Sequence, residues 1–396
     1  MPLDSAHTDL LARRATHVDG LAGRTYLGNH TLGAPHADSA LGLARYAREW
    51  AEEGITAWRR WVPEMRRVAD LAGALIGAPA GTTVLRQSVH DGLADIAAAL
   101  PLEQRPRVVL ADLEWPGTRY LWQANGAELA SVAVSDDGTH VDVGRLADAV
   151  DERTAAVFLS HVLFRTSTLV DPTPVVEAAH RVGALVVLDA YQSAGAVPVD
   201  VTALGVDVCV GGSVKFLCGG PGNGFLYVAP HAVAALRPRA VGWFGHARPF
   251  AFDESWEPAP GAHRFTGGTP NVPAAYAAAP AFAELLDIGV DRVRERSLSL
   301  TQPLVEACLE RGWAVRSPVE AEQRGGSVTV DPGDSLRVHD ALLARGVVVD
   351  HRPGAGLRIG PHWFSTAEEV AHVVEEIAAL TAAGRPASPG GAGGRA

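Results

Sequence analysis

VDVCVGGSVKFLCGGPGNG, residues 206–224, is an apolar run that meets a lysine and then breaks on a series of glycines. Val206, Val208 and Val210 leave no polar face beyond Asp207, so the run reads as a strand covered on both sides. Just upstream, ALVVLDA (184–190) repeats the pattern and ends on Asp189. Further out, VVLADL (108–113), LASVAV (129–134) and AAVFLSHV (155–162) are apolar strands, with VGRLADAVDE (143–152) and TPVVEAAHRVG (173–183) as helical stretches among them. This alternation predicts an α/β fold built on a parallel or mostly parallel sheet. Such sheets bind ligands beyond the carboxyl ends of their strands, so a site is expected in the loops after Asp112, His161, Asp189 and Gly212.

On either side of this region the pattern changes. After a turn-rich segment, GNHTLGAPH (28–36), residues 38–77 carry Trp50, Ile55, Trp58, Trp61, Met65, Val68 and Leu71 at helical spacing and predict two or three helices. From 286 a long helix, the strand SVTV, the helix DSLRVHDALLARG, the strand VVVD and a last helix make a compact α+β lobe. The expected layout is an N-terminal segment (1–45), a large domain (46–285), a small C-terminal domain (286–384) and a Pro/Gly-rich disordered tail (385–396). With 396 residues, 47% of them hydrophobic and 20% charged, the chain can bury a sizeable core. It holds no apolar run near the ~18 residues of a membrane span, its opening residues do not resemble a secretory signal, and three scattered cysteines cannot form a disulfide framework. A cytoplasmic protein is expected. The net charge of −11, without a basic run, argues against nucleic acid and for a small-molecule partner.

Of the 34 basic residues, 33 are arginine and one, Lys215, is lysine. Guanidinium stays protonated and cannot serve as a nucleophilic amine, whereas a lysine amine can lose its proton and form a Schiff base. Lys215 is either a chance survivor or a reactive amine, and its context favours the second. It follows a strand at the ligand-binding edge, where a cofactor aldehyde would sit. Asp189 ends a nearby strand. Taken alone it is an ordinary turn or cap residue; beside Lys215 it is a carboxylate able to keep the ring nitrogen of pyridoxal 5'-phosphate (PLP) protonated, which makes the ring an electron sink.

From this pair outward the chain resembles a fold-type I PLP enzyme of the class V aminotransferase superfamily, and within it kynureninase. The likeness runs through YLGNHTLGAP (26–35), GITAWRRW (54–61), LIGAPAG (75–81), LSHVLFRTSTLVD (159–171), DAYQSAGAVPVDV (189–201), SVKFLCGGPGNGFLYV (213–228), VGWFGHARPFAFD (241–253), RFTGGTPNVPA (264–274) and DHRPGAGLRIGP (350–361). WFGH and FTGGTP separate it from generic aminotransferases. The resemblance implies a large domain with a mostly parallel seven-stranded sheet that binds PLP, and a smaller α+β domain. It further implies that Lys215 joins the cofactor and shuttles the Cα proton, that Asp189 pairs with the pyridinium, and that Trp115 stacks on the ring. Gln87, Ser88 and Ser213 match phosphate contacts, and Gln192 stands at a cofactor position. Trp243 and Thr269 match contacts supplied by a neighbouring subunit, so a homodimer with shared sites is implied, and Arg358 matches the arginine that grips the substrate α-carboxylate. By position, His30, His90, Phe164 and His246 are candidates for the substrate pocket, with His30 placed among the substrate-binding residues.

Three positions depart from the kynureninase pattern: Val214 replaces a tyrosine just before the lysine, Gln192 replaces a histidine, and Thr118 replaces a carboxylate. The implied activity is hydrolytic Cβ–Cγ cleavage of a kynurenine-type amino acid to an aromatic acid and alanine. A β-eliminating lyase or an aminotransferase on the same scaffold is the alternative. A desulfurase is disfavoured, because none of Cys209, Cys218 and Cys308 falls in a mobile loop of the small lobe. No HExxH, P-loop or GxSxG motif is present, the fifteen histidines are scattered, and His161 and His246 are expected to be structural or supporting residues rather than metal ligands.

Overall fold

The computed structural model describes residues 4, 7–18, 21, 23–135 and 138–383. The expected disordered tail lies outside them. Seven strands form the central sheet: β1 (Thr83–Arg86), β2 (Arg107–Ala111), β3 (Glu128–Val132), β4 (Thr154–Ser160), β5 (Leu185–Asp189), β6 (Val208–Gly212) and β7 (Gly224–Val228). Their order is β1-β7-β6-β5-β4-β2-β3, and β7 alone runs opposite to the other six. Every residue of β4, β6 and β7 is buried, as expected of strands covered on both faces. The register sets Ser160 beside Asp189 and Asp189 beside Val210, which brings the carboxyl ends of three parallel strands to one edge.

Helices α1 (Ser39–Glu53) and α2 (Trp58–Ala74) occupy the predicted helical region, joined by a 3-10 turn. In α2, Trp61, Val68, Ala69 and Ala72 form a buried stripe. Trp50 and Ile55 do not join it: they are 60% and 85% exposed. Next come α3 (Val89–Ala99), α4 (Pro116–Ala124), α5 (Thr173–Arg181) and α6 (Val272–Ile288), the last buried along most of its length. The helices α7 (Val290–Glu310), α8 (Ser335–Ala344) and α9 (Ala367–Ala383) pack with a four-stranded antiparallel sheet. Its strands are β8 (Ala314–Val315), β9 (Val328–Asp331), β10 (Asp350–Arg352) and β11 (Gly356–Ile359), in the order β10-β11-β9-β8. Two main hydrophobic cores result. One spans the central sheet and its helices; the other joins Leu300, Leu304, Val328, Leu357 and Ile377 of the smaller unit with Leu27 from the N-terminal segment. Among the described residues no helix is long and apolar enough to cross a membrane.

Candidate active site

The carboxyl ends of β4, β5 and β6, the start of α3 and the β10–β11 hairpin enclose a cavity of about 350 Å³. It is large enough for a small cofactor. Lys215, three residues beyond β6, and Asp189, the last residue of β5, both line it. The Lys215 Nζ lies 3.9 Å from the centroid of the Tyr191 ring. That ring crosses the end of β6, where a Cβ on Gly212 would meet it at 1.8 Å, so only glycine leaves the space. Burial pushes the lysine amine down to about 7, against the opposing pull of Asp189. Near neutral pH much of it is therefore the free, nucleophilic amine. Burial raises the Asp189 carboxyl, while the Tyr191 backbone N–H, donating at 2.7 Å, and the nearby Lys215 favour the carboxylate.

The opposite side of the cavity is the amino end of α3. Ser88 caps this helix, its hydroxyl accepting from the Asp91 N–H at 3.2 Å, and Ser88, Val89 and His90 line the cavity. The helix start abuts β7 because residue 224 is glycine: a Cβ there would lie 2.5 Å from the Ser88 carbonyl carbon. An eleven-residue helix opening in this way suits an anion. The amine, the buried acid, the aromatic side chains and this helix start fit the aldehyde, pyridine nitrogen, ring and phosphate of PLP.

Trp115, 51% exposed, stands at the head of α4 and packs edge-to-face on Phe164 at 5.0 Å. Gln192 lines the cavity and donates to the His30 carbonyl at 3.2 Å. His30 is fully buried, neither ring nitrogen has a hydrogen-bond partner among the described residues, and burial followed by Arg358 and Lys215 keeps the ring neutral. Arg358 is also in the cavity, though less free than expected: its Nε donates to Asp350 Oδ2 at 2.7 Å, Nη1 to the Phe164 carbonyl at 2.6 Å and Nη2 to Thr31 at 3.2 Å. His90, Phe164, Thr118 and Val214 are lining residues as well.

Other candidates lie elsewhere. Gln87 and Thr269 share a neighbouring pocket of about 280 Å³ with Asp91 and Asn223. The Ser213 hydroxyl is turned to the Gly220 and Asn223 carbonyls and does not face the cavity. Trp243 sits among Trp58, Phe244, Phe250 and Phe252, its indole N–H donating to the Pro249 carbonyl. His246 is not a lining residue: its ring is held by the Arg248 N–H and the Ser255 carbonyl, which fixes it on a different pocket. The cavity also gathers residues the sequence did not single out. Tyr191 and Arg352 line it. Glu114, just behind Trp115, accepts from the Ser160 N–H at 2.9 Å and from its hydroxyl, and burial pushes its carboxyl up to about 7. Tyr191 and Glu114 each adjoin a named site residue in sequence, which was the available signal.

Residues 62–373 match the family described as aminotransferase class-V. The chain belongs to the class-V aminotransferase family. PLP is the cofactor of this family. Among curated class-V relatives, the chain is 31% identical over 360 residues to the uncharacterized aminotransferase YcbU of Bacillus subtilis, covering 90% of this chain and 95% of that one. It is 32% identical over 356 residues to a kynureninase of Burkholderia pseudomallei, covering 86% and 84%. Solved structures share the fold of this class-V chain. A cysteine desulfurase from Thermococcus onnurineus superposes with a TM-score of 0.81 at 19% identity, over 91% of this chain and 95% of that one. The cystine C–S lyase C-DES superposes at 0.83 with 21% identity, over 91% and 98%.

Proposed function

We propose that this class-V enzyme hydrolyses the Cβ–Cγ bond of an amino acid bearing an aryl ketone, in the manner of kynureninase, releasing an aromatic acid and alanine. The observation that carries the reading is one cavity that holds a lysine amine poised near neutrality, a buried acid, a buried arginine and the edge-to-face pair Trp115–Phe164, against which an aryl group can pack. The 32% identity to a kynureninase supports it.

In this reading Lys215 holds PLP by its aldehyde, Asp189 pairs with the ring nitrogen, Trp115 stacks on the ring, and Ser88 with the first turn of α3 faces the phosphate. Gln192 stands at the ring, and Trp243 and Thr269 serve the site of a second copy. Bound there, PLP supplies an electron sink for charge released at the substrate. Arg358 and His30 orient the substrate carboxylate. Lys215 Nζ takes the proton from Cα and returns one later. Water adds to the ketone carbon, the Cβ–Cγ bond breaks with its electron pair left on Cβ, and a proton is delivered there. Val214 has no proton to give, so the hydroxyl of Tyr191, whose ring lies under the lysine amine, is assigned that delivery. The enzyme acts in the cytoplasm as a homodimer; the exposed Phe252 and Ile55, 75% and 85% accessible, give a second copy an apolar surface to cover.

A second reading, β-elimination from a β-substituted amino acid, is favoured by Val214, since elimination requires no proton at Cβ and leans only on Lys215, Asp189 and Arg358. The desulfurase reading gains nothing: Cys209, Cys218 and Cys308 are buried, and none lines the cavity. Incubation with kynurenine, 3-hydroxykynurenine and cysteine conjugates, with products read by mass spectrometry, separates the two. Alanine with an aromatic acid supports hydrolysis; pyruvate with ammonia supports the lyase and overturns it.

A further inference from the structure

His180, Asp207 and His231 lie far apart in sequence and meet at the end of the sheet away from the lysine cavity. Asp207 immediately precedes β6, His180 is on the last turn of α5, and His231 follows β7. The Asp207 side chain is only 2% exposed. Its Oδ2 accepts from the Val186 N–H at 2.7 Å and faces His180 Nε2 at 3.0 Å, while Oδ1 faces His231 Nε2 at 2.8 Å. The three ligand atoms lie within 4.8 Å of one another. The imidazoles, 41% and 63% exposed, close the outer side edge-to-face.

We infer that these three residues form a surface site for a divalent transition-metal ion of the zinc class. Two imidazole nitrogens and one carboxylate are a zinc, cobalt or nickel donor set, whereas magnesium and calcium prefer oxygen alone. The carboxylate is fixed in advance by the Val186 N–H, the kind of outer contact that orients a metal ligand. Neither Nδ1 has a protein partner among the described residues, so each can carry the ring proton while Nε2 offers its lone pair. The exposed side leaves the remaining coordination positions to water or to a ligand from outside. A bound ion would clip α5 and the turn after β7 to the start of β6.

The other such group among the described residues, His17, His36 and Glu284, is built differently. His36 Nδ1 accepts the Asp38 N–H at 3.0 Å, which leaves the proton on Nε2, 3.3 Å from Glu284. The Arg13 guanidinium occupies the same carboxylate at 3.1 Å. That group is an ion-pair cluster with no lone pair to spare at His36.

The test uses the PLP-loaded enzyme, freed of metals by chelator and dialysis. Zinc chloride is titrated in a calorimeter, and cobalt binding is read from its visible absorption. The site predicts one ion per chain at micromolar zinc, a higher unfolding temperature with zinc, and affinity at least about 10-fold weaker in His180→Ala and in His231→Ala. Both histidines are surface residues outside the cavity, so the cofactor's absorption band stays unchanged in these variants and reports that they are folded. Saturation absent below millimolar zinc, or full-affinity binding retained in both variants, overturns the inference.

Discussion

In the proposed reaction Lys215 would carry the chemistry through its surroundings as much as its identity. Burial holds its amine near 7, against an ordinary lysine value of 10.5, so the amine is free where a surface lysine would be charged. The rate at which the cofactor-stripped chain recaptures added PLP is therefore expected to rise with pH through about 7 and level off above it, followed by absorbance; a rise delayed to pH 10 would contradict the assignment. The same depression means that the unfolded chain binds this proton and the folded chain does not between about 7 and 10.5, so this group adds no stability at neutral pH. At Tyr191, replacement by Phe keeps the ring under the amine and removes the hydroxyl. Tyr191→Phe is expected to lower kcat by about 10²–10⁴-fold with little change in KM. Unaltered turnover would assign the proton to another group. Val214→Tyr, which restores a phenol beside the lysine, is expected to raise kynurenine cleavage.

At the scale of elements, the site depends on how closely α3 approaches β7. Gly224 permits that approach, since a Cβ would meet the Ser88 carbonyl carbon at 2.5 Å and the Val89 nitrogen at 2.7 Å. Gly224→Ala is expected to displace the helix start and weaken PLP binding by about 10-fold, or ~1.4 kcal/mol, in a titration monitored at the cofactor's absorption band. Undiminished affinity would mean that this helix start does not hold the phosphate. The central parallel strands were legible in the sequence because burial on both faces writes them as unbroken apolar runs, as in AAVFL (155–159) and LVVL (185–188). The edge strand β1 and the antiparallel β7 were not singled out, being short and set in their order by tertiary pairing. Helix α6 was missed for another reason: alanine on every side and an internal Pro280 erase the amphipathic period, and the helix is buried instead against α1 and α2. Asp189 and Lys215 could be read because each ends or follows a strand. Arg352, which lines the cavity, and Asp350, which holds Arg358, became visible only when separate elements converged.

Across the whole molecule, the N-terminal segment is fastened to α6 by Glu284, which pairs with Arg13, His17 and His36. Burial alone would raise the Glu284 carboxyl, but the hydrogen bonds from His17 and His36 outweigh it and hold the group well below its ordinary value of 4.5. Its contribution is thus present above pH ~4.5 and is lost as pH falls toward the folded-state value. Glu284→Gln, which removes the carboxylate that Arg13, His17 and His36 share, is expected to cost about 2 kcal/mol in denaturant unfolding of the holoenzyme. Assembly is open to a separate test: Phe252→Asp, at a 75% exposed aromatic, is expected to shift a dimer toward monomer in light scattering. The central claim, that the one lysine of the chain anchors the cofactor, is tested most directly by borohydride reduction of the holoenzyme followed by intact mass measurement and peptide mapping. The account predicts the mass of one reduced cofactor per chain, carried by the Lys215 peptide, and none in Lys215→Arg. A stable adduct on any other peptide, or one that persists in Lys215→Arg, would contradict it.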